Sequence, residues 1–212
     1  MKRKILALIL ALFLALSPAG AWASQTEELW TIYEPREDIL LVNEWNALPE
    51  DYEPEDLINV YEQEGRAFSV ESEGIQLCRK VFEAAQEMFA KAKADGVKGF
   101  RMTSGYRSAK KQRQIYKDSK EGVAALPGHS EHETGLAFDV SVKGGNFGST
   151  KQFKWMKQNC WDYGFILRYP KGAEKITGIT YEPWHYRYVG VDAALEIRDL
   201  GVTLEEYLQS ED

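Results

Sequence analysis

The 212-residue chain holds three histidines, His129, His132 and His185, so any imidazole-based site must draw on these. His132 lies in Ser130-Glu131-His132-Glu133-Thr134-Gly135-Leu136-Ala137-Phe138-Asp139, and His185 in Tyr181-Glu182-Pro183-Trp184-His185-Tyr186-Arg187-Tyr188. Two imidazoles and one carboxylate are a sufficient protein ligand set for a catalytic zinc that keeps one vertex free for water. A further carboxylate beside that water can take its proton. His132, Asp139 and His185 are the candidate ligands, and Glu182 the candidate base. A fourth protein ligand would close the site, so His129 reads as a loop or substrate-side residue. Segment by segment, a solvent-facing Asp139 with an incidental His132 fits equally well, and Glu182 fits a structural pairing with Arg187.

Bringing these side chains together makes demands on the elements around them. Residues 136–142 alternate as a strand, with Leu136, Phe138, Val140 and Val142 toward the core and Ala137, Asp139 and Ser141 on the other face. Gly135 permits the turn that returns His132 toward Asp139. Trp184, Tyr186 and Tyr188 share one strand face, while His185 and Arg187 share the other. Glu182 precedes His185 by three and would point away in a straight strand, so Pro183 must mark a bend. Residues 75–94 read as an amphipathic helix on Leu77, Val81, Ala84, Ala85, Met88 and Ala92, stopped at Asp95-Gly96. Further helices are expected at 109–120, 151–163, 193–200 and 204–208. Further strands are expected at 39–42, 99–103, 165–169, 176–181 and 184–189. The mixed order and short links predict a single α+β domain with a mostly antiparallel central sheet flanked by helices.

Composition bounds the setting. Acidic residues outnumber basic ones, 33 to 26, for a net charge of −7, which argues against a nucleic-acid partner. Lys2, Arg3 and Lys4 precede an unbroken apolar run over residues 5–16, and Ala21-Trp22-Ala23 has the form of a cleavage site. Residues 1–23 therefore read as an export signal. The run is too short to span a bilayer, which needs about 20 apolar residues, and no later stretch could do so. Removal of the signal takes three positive charges and brings the net charge from −7 to −10. The mature protein is expected outside the cytoplasm, secreted or held in the cell-wall or periplasmic space. Residues 24–70 are acidic and punctuated by Pro35, Pro49 and Pro54, and read as an arm on a main domain of residues 71–212. Cys78 and Cys160 fit one disulfide or two buried thiols, and neither looks catalytic.

Ser130-x-His132-x-x-Gly135-x-Ala137-x-Asp139 and Glu182-x-x-His185 resemble the two signature motifs of the VanY-type zinc D-alanyl-D-alanine carboxypeptidases, peptidase family M15, subfamily B. Ser104-Gly105-Tyr106-Arg107-Ser108-x-x-x-Gln112 resembles the upstream motif of that family. Tyr163 to Pro170 and Leu204 to Leu208 are also similar to stretches of that family. The chain departs from the pattern at His129, Glu133 and Cys160, none of them a core site residue. The resemblance implies a hedgehog/DD-peptidase-like fold and a zinc enzyme that removes the terminal D-alanine from peptidoglycan stem peptides ending in D-Ala-D-Ala. It implies His132, Asp139 and His185 as ligands and Glu182 as base and later proton donor. Arg107 would stabilise the oxyanion. Ser130 and Gln112 would contact substrate, and Tyr106 and Trp184 would wall the pocket.

A D-Ala-D-Ala dipeptidase, an L,D-carboxypeptidase and a cell-wall endopeptidase remain open on the same scaffold. A non-catalytic wall-binding domain is a further alternative. It accounts less well for a chain in which all four core residues are present.

Overall fold

The structure is a computed structural model that describes residues 39–119 and 124–209. The expected export signal, the start of the arm and the end of the helix expected at 109–120 lie outside the described residues. In chain order the strands are β1 (Leu57–Asn59), β2 (Ser69–Val70), β3 (Gln76–Cys78), β4 (Phe100–Ser104), β5 (Ala137–Val142), β6 (Phe165–Leu167) and β7 (His185–Tyr188). The helices are α1 (Arg79–Ala94), α2 (Ala109–Asp118), α3 (Lys151–Asn159), α4 (Glu174–Thr177), α5 (Val191–Leu200) and α6 (Leu204–Leu208). Short 3-10 turns occupy Glu131–Thr134, Phe147–Ser149 and Cys160–Tyr163. No described helix is long and apolar enough to cross a membrane.

The main sheet has five strands in the order β2-β4-β5-β7-β6. Only β2 and β4 run parallel; the other neighbours are antiparallel. This is the mixed architecture with a mostly antiparallel sheet that the order of elements predicts. One face is sealed by α1, whose Val81, Ala85, Met88, Phe89 and Ala92 are buried. Phe89 meets Phe68 and Phe100 at ring separations of 4.9 and 4.8 Å, and Phe138 meets Phe165 at 5.2 Å. Each such side chain contributes about 1.5–3 kcal/mol on leaving water. The face that carries Asp139, His185 and Arg187 is the one left for chemistry.

Several local expectations change. Gln76–Cys78 is a strand paired with β1, so the helix begins at Arg79. Leu77 and Val81 satisfy helical spacing, but Leu77 is buried from a strand. Residues 176–181 are not a strand: α4 ends at Thr177, where Gly178 takes a left-handed conformation. Residues 39–42 are not a strand either, and the Leu40 carbonyl accepts from Arg187 Nη2 at 2.6 Å. Strand β7 starts at His185, so Trp184 belongs to the preceding turn and does not share the face of Tyr186. Both cysteines are buried free thiols, which removes the disulfide option.

Candidate metal centre

Asp139 and His185 are register partners on the adjacent antiparallel strands β5 and β7. Such partners stand side by side on one face, so strand pairing alone brings their side chains together. His132 arrives from the turn at Glu131–Thr134, which Gly135 ends with φ of 68°. A Cβ on Gly135 would lie 2.8 Å from Cys78 Sγ, so only glycine permits this return of the chain toward β5. The loop after β4 crosses the same turn. His132 Nδ1–H donates to the Gly105 carbonyl at 2.8 Å, and Arg107 N–H donates to the His132 carbonyl at 3.0 Å. Gly105 reaches that position because it packs against the Gln76 carbonyl, which a Cβ would meet at 2.3 Å.

The tautomers follow from these partners. A carbonyl oxygen can only accept, so His132 carries its proton on Nδ1 and leaves Nε2 for a ligand. Nε2 lies 3.4 Å from Asp139 Oδ2. His185 Nε2 lies 3.3 Å from Glu131 Oε2, and its Nδ1 faces Asp139 Oδ1 at 3.1 Å. Donor atoms of His132, Asp139 and His185 all lie within 4.8 Å of one another, the one such group of three among the described residues. The carboxylate spans the two imidazoles, with Oδ2 3.4 Å from His132 Nε2 and Oδ1 3.1 Å from His185 Nδ1, so a single cation among them would be within reach of all three side chains. The donor chemistry, two nitrogens and one carboxylate with a side open to the cavity, fits zinc as well.

Glu182 reaches the same place through the bend at Pro183. His185 N–H donates to the Glu182 carbonyl at 3.2 Å, and Glu182 Oε2 lies 3.8 Å from His185 Nδ1. Burial pushes the Glu182 carboxyl above its ordinary range, and His185 and Arg107 only partly offset this. Arg107 Nη2 donates to Ser104 Oγ at 3.1 Å and lies 3.6 Å from Asp139 Oδ2. These groups line a cavity of about 330 Å³ together with Ser130, Gln112, His129 and Trp184. Gln112 Nε2 donates to the Ala125 carbonyl, while its buried Oε1 has no protein partner. Tyr106 lines a second cavity, with Glu133 and Arg113. His129 is not in the ligand group; its Nδ1 bonds the Asn43 carbonyl at 2.8 Å.

One residue of the site is not evident from sequence. Glu131 is wholly buried and accepts from Arg168 Nε at 2.7 Å, Arg187 Nη1 at 2.8 Å and His185 Nε2 at 3.3 Å. Arg187 therefore pairs with Glu131, not with Glu182. Burial by itself would raise the Glu131 carboxyl, but Arg168, Arg187 and His185 hold it well below the usual carboxylate range. The only sequence signal for it is an acidic residue in a stretch otherwise bound for the interior.

The metal-free protein carries a pH signature. Burial alone would lower the pKa of His185, but its bonds to Asp139 and Glu131 hold it up to about 9. The folded value lies above the ordinary value of about 6.5, so this stabilisation is complete below about pH 6.5 and is lost as pH rises through about 9. It amounts to something on the order of 3 kcal/mol. Thermal melts in the presence of a chelator are expected to fall in Tm across that window, and a flat Tm would contradict the His185 environment described here.

Comparisons with known proteins agree with this geometry. Residues 74–191 match the model of the VanY family, D-alanyl-D-alanine carboxypeptidase. The chain is 42% identical to the putative carboxypeptidase YodJ of Bacillus subtilis over 203 residues, covering 87% of this chain and 72% of YodJ. A solved structure of LdcB, an LD-carboxypeptidase, aligns with a TM-score of 0.73 at 39% identity, covering 81% of this chain and 86% of that one. VanYB in complex with D-alanine-D-alanine aligns with a TM-score of 0.68 at 34% identity, covering 82% of this chain and 98% of that one.

Proposed function

Because the chain belongs to the VanY family of D-alanyl-D-alanine carboxypeptidases, we propose that it is an exported zinc enzyme that removes the C-terminal D-alanine of peptidoglycan stem peptides. The observation that carries this reading is the convergence of His132, Asp139 and His185, with Glu182 beside them at the open side of the cavity. D-Alanine-D-alanine bound to VanYB supports the substrate class. The basic and apolar leader over residues 1–23 supports export.

His132 Nε2, His185 Nδ1 and an Asp139 oxygen would hold the metal. Zinc, when bound, supplies Lewis-acid polarisation and makes water acidic enough to attack near neutral pH. Glu182, its carboxyl raised by burial, takes the proton from the attacking water and passes it to the leaving amine of D-alanine. Arg107 keeps a fixed positive charge where the carbonyl oxygen becomes anionic. Its bond to Ser104 and its backbone tie to His132 hold that charge in place before substrate arrives. Ser130 and Gln112 offer polar contacts to the peptide, and Trp184 forms an apolar wall. Tyr106 lines a different cavity and is not a wall of this one.

The likeness to LdcB favours a second reading, cleavage at an L,D bond on the same scaffold. Mass spectrometry of products separates the two. A synthetic pentapeptide stem is expected to give free D-alanine and tetrapeptide, with turnover abolished by chelation and restored by zinc. Release of the intact D-Ala-D-Ala dipeptide would make the protein a dipeptidase. Cleavage of a tetrapeptide stem in preference to the pentapeptide would make it an L,D-carboxypeptidase.

A further inference from the structure

We infer that Glu131 is the positioning residue for His185: pinned by two arginines, it dictates which imidazole nitrogen faces the metal. The inference rests on the zinc reading above and adds to it a residue outside the ligand set. Glu131 Oε1 receives both Arg168 Nε and Arg187 Nη1, while Oε2 is left to His185 Nε2. Arginine does not release its proton in proteins, so a carboxylate between two buried guanidinium groups stays ionised. An ionised carboxylate only accepts. His185 must therefore present Nε2–H to Glu131, and Nδ1 is the nitrogen left for the cavity. The ring is also braced by Tyr169 at 4.8 Å, and Tyr169 in turn lies under the Arg168 guanidinium at 5.0 Å.

The arginines are themselves anchored from distant parts of the chain. Glu205 of α6 takes Arg168 Nη1 and Nη2 in a two-point contact at 2.8 and 2.6 Å. Asn43 Nδ2 donates to the same carboxylate at 3.2 Å, and the Leu40 carbonyl takes Arg187 Nη2. The side chains of Glu131, Arg168, Arg187 and Glu205 are each no more than 2% exposed, so the cluster is dry and its charges balance. A dry carboxylate that receives the outer N–H of a metal-binding imidazole raises its basicity and fixes its aim.

The experiment uses full-length wild type, Glu131→Gln and Glu205→Gln, with 15N-labelled histidine. Both substitutions cut one carboxylate from the cluster and both lower Tm, but only Glu131→Gln touches His185. In zinc-loaded wild type, the nitrogen spectra are expected to show His185 bound through Nδ1 with Nε2 protonated. Glu131→Gln is expected to weaken zinc binding about 10–100-fold, while Glu205→Gln stays within about threefold. Coordination of wild-type His185 through Nε2 overturns the inference, and that spectrum decides even where Glu131→Gln does not fold. Equal weakening in the two variants, or unchanged affinity in Glu131→Gln, also overturns it while the zinc reading stands. A wild-type protein that binds no zinc removes the zinc reading and the inference with it.

Discussion

Replacing Glu182 with glutamine is expected to leave zinc bound at near wild-type affinity and to lower kcat by about 10²–10⁴-fold, the contribution of a placed general base. Glutamine keeps the shape of the side chain and its place in the bend at Pro183, so the turn that delivers His185 survives. What disappears is the proton acceptor. The environment of Glu182 suits proton transfer, since burial raises its carboxyl and makes it a stronger proton acceptor, while His185 and Arg107 partly offset that rise. The acidic limb of the kcat/KM profile should vanish with the residue. His185→Ala, in contrast, is expected to lose metal and turnover together. Equal metal loss in both variants, read by elemental analysis after gel filtration, would show that Glu182 is a ligand.

Arg168→Met is expected to cost about 3–5 kcal/mol of folding stability, because it strands buried carboxylates that the arginine neutralised. For a chain of this size that corresponds to a fall in Tm of about 6–20 °C. Arg168 makes three charge-assisted bonds, one to Glu131 and two to Glu205, with no exposed side-chain surface. Methionine fills similar space and restores none of these contacts. Replacing Glu205 with leucine in the same chain should recover part of the loss, since one stranded carboxylate is then gone. It should not recover all of it, because Glu131 has then lost one of its two arginines and keeps only Arg187 and His185. A Tm within about 3 °C of wild type for Arg168→Met would show that the cluster is energetically minor.

Much of the site is legible in residue order. The alternation through Phe138 and Val140 puts Asp139 on the face opposite the core, and the bend demanded at Pro183 is present. The proximity of His132 to Asp139 follows from a single glycine turn. Glu131 is illegible for a physical reason. Its partners Arg168 and Arg187, and Glu205 behind them, come from the end of β6, β7 and α6, and no local periodicity connects them. The stretches from Tyr163 to Pro170 and from Leu204 to Leu208 resemble the family without revealing a role; the structure gathers Arg168 and Glu205 from them into one ion cluster. The misread elements share a different cause. Leu77 and Val81 obey helical spacing, yet β3 forms because β1 offers a distant pairing partner. Ile176 to Tyr181 has strand-forming residues, but Gly178 ends a short helix there and the chain turns toward the cavity.

The ion cluster also staples stretches far apart in the chain to one another. Glu205 lies 73 positions after His132, and without it Arg168 has only one of its two acidic partners. The pairing of β5 with β7 involves no residue of α6, yet α6 braces the imidazole of His185 at one remove, through Arg168 and Glu131. A chain cut short of Leu204 would keep His132, Asp139, Glu182 and His185 yet lose the two-point contact that fixes Arg168 beside them.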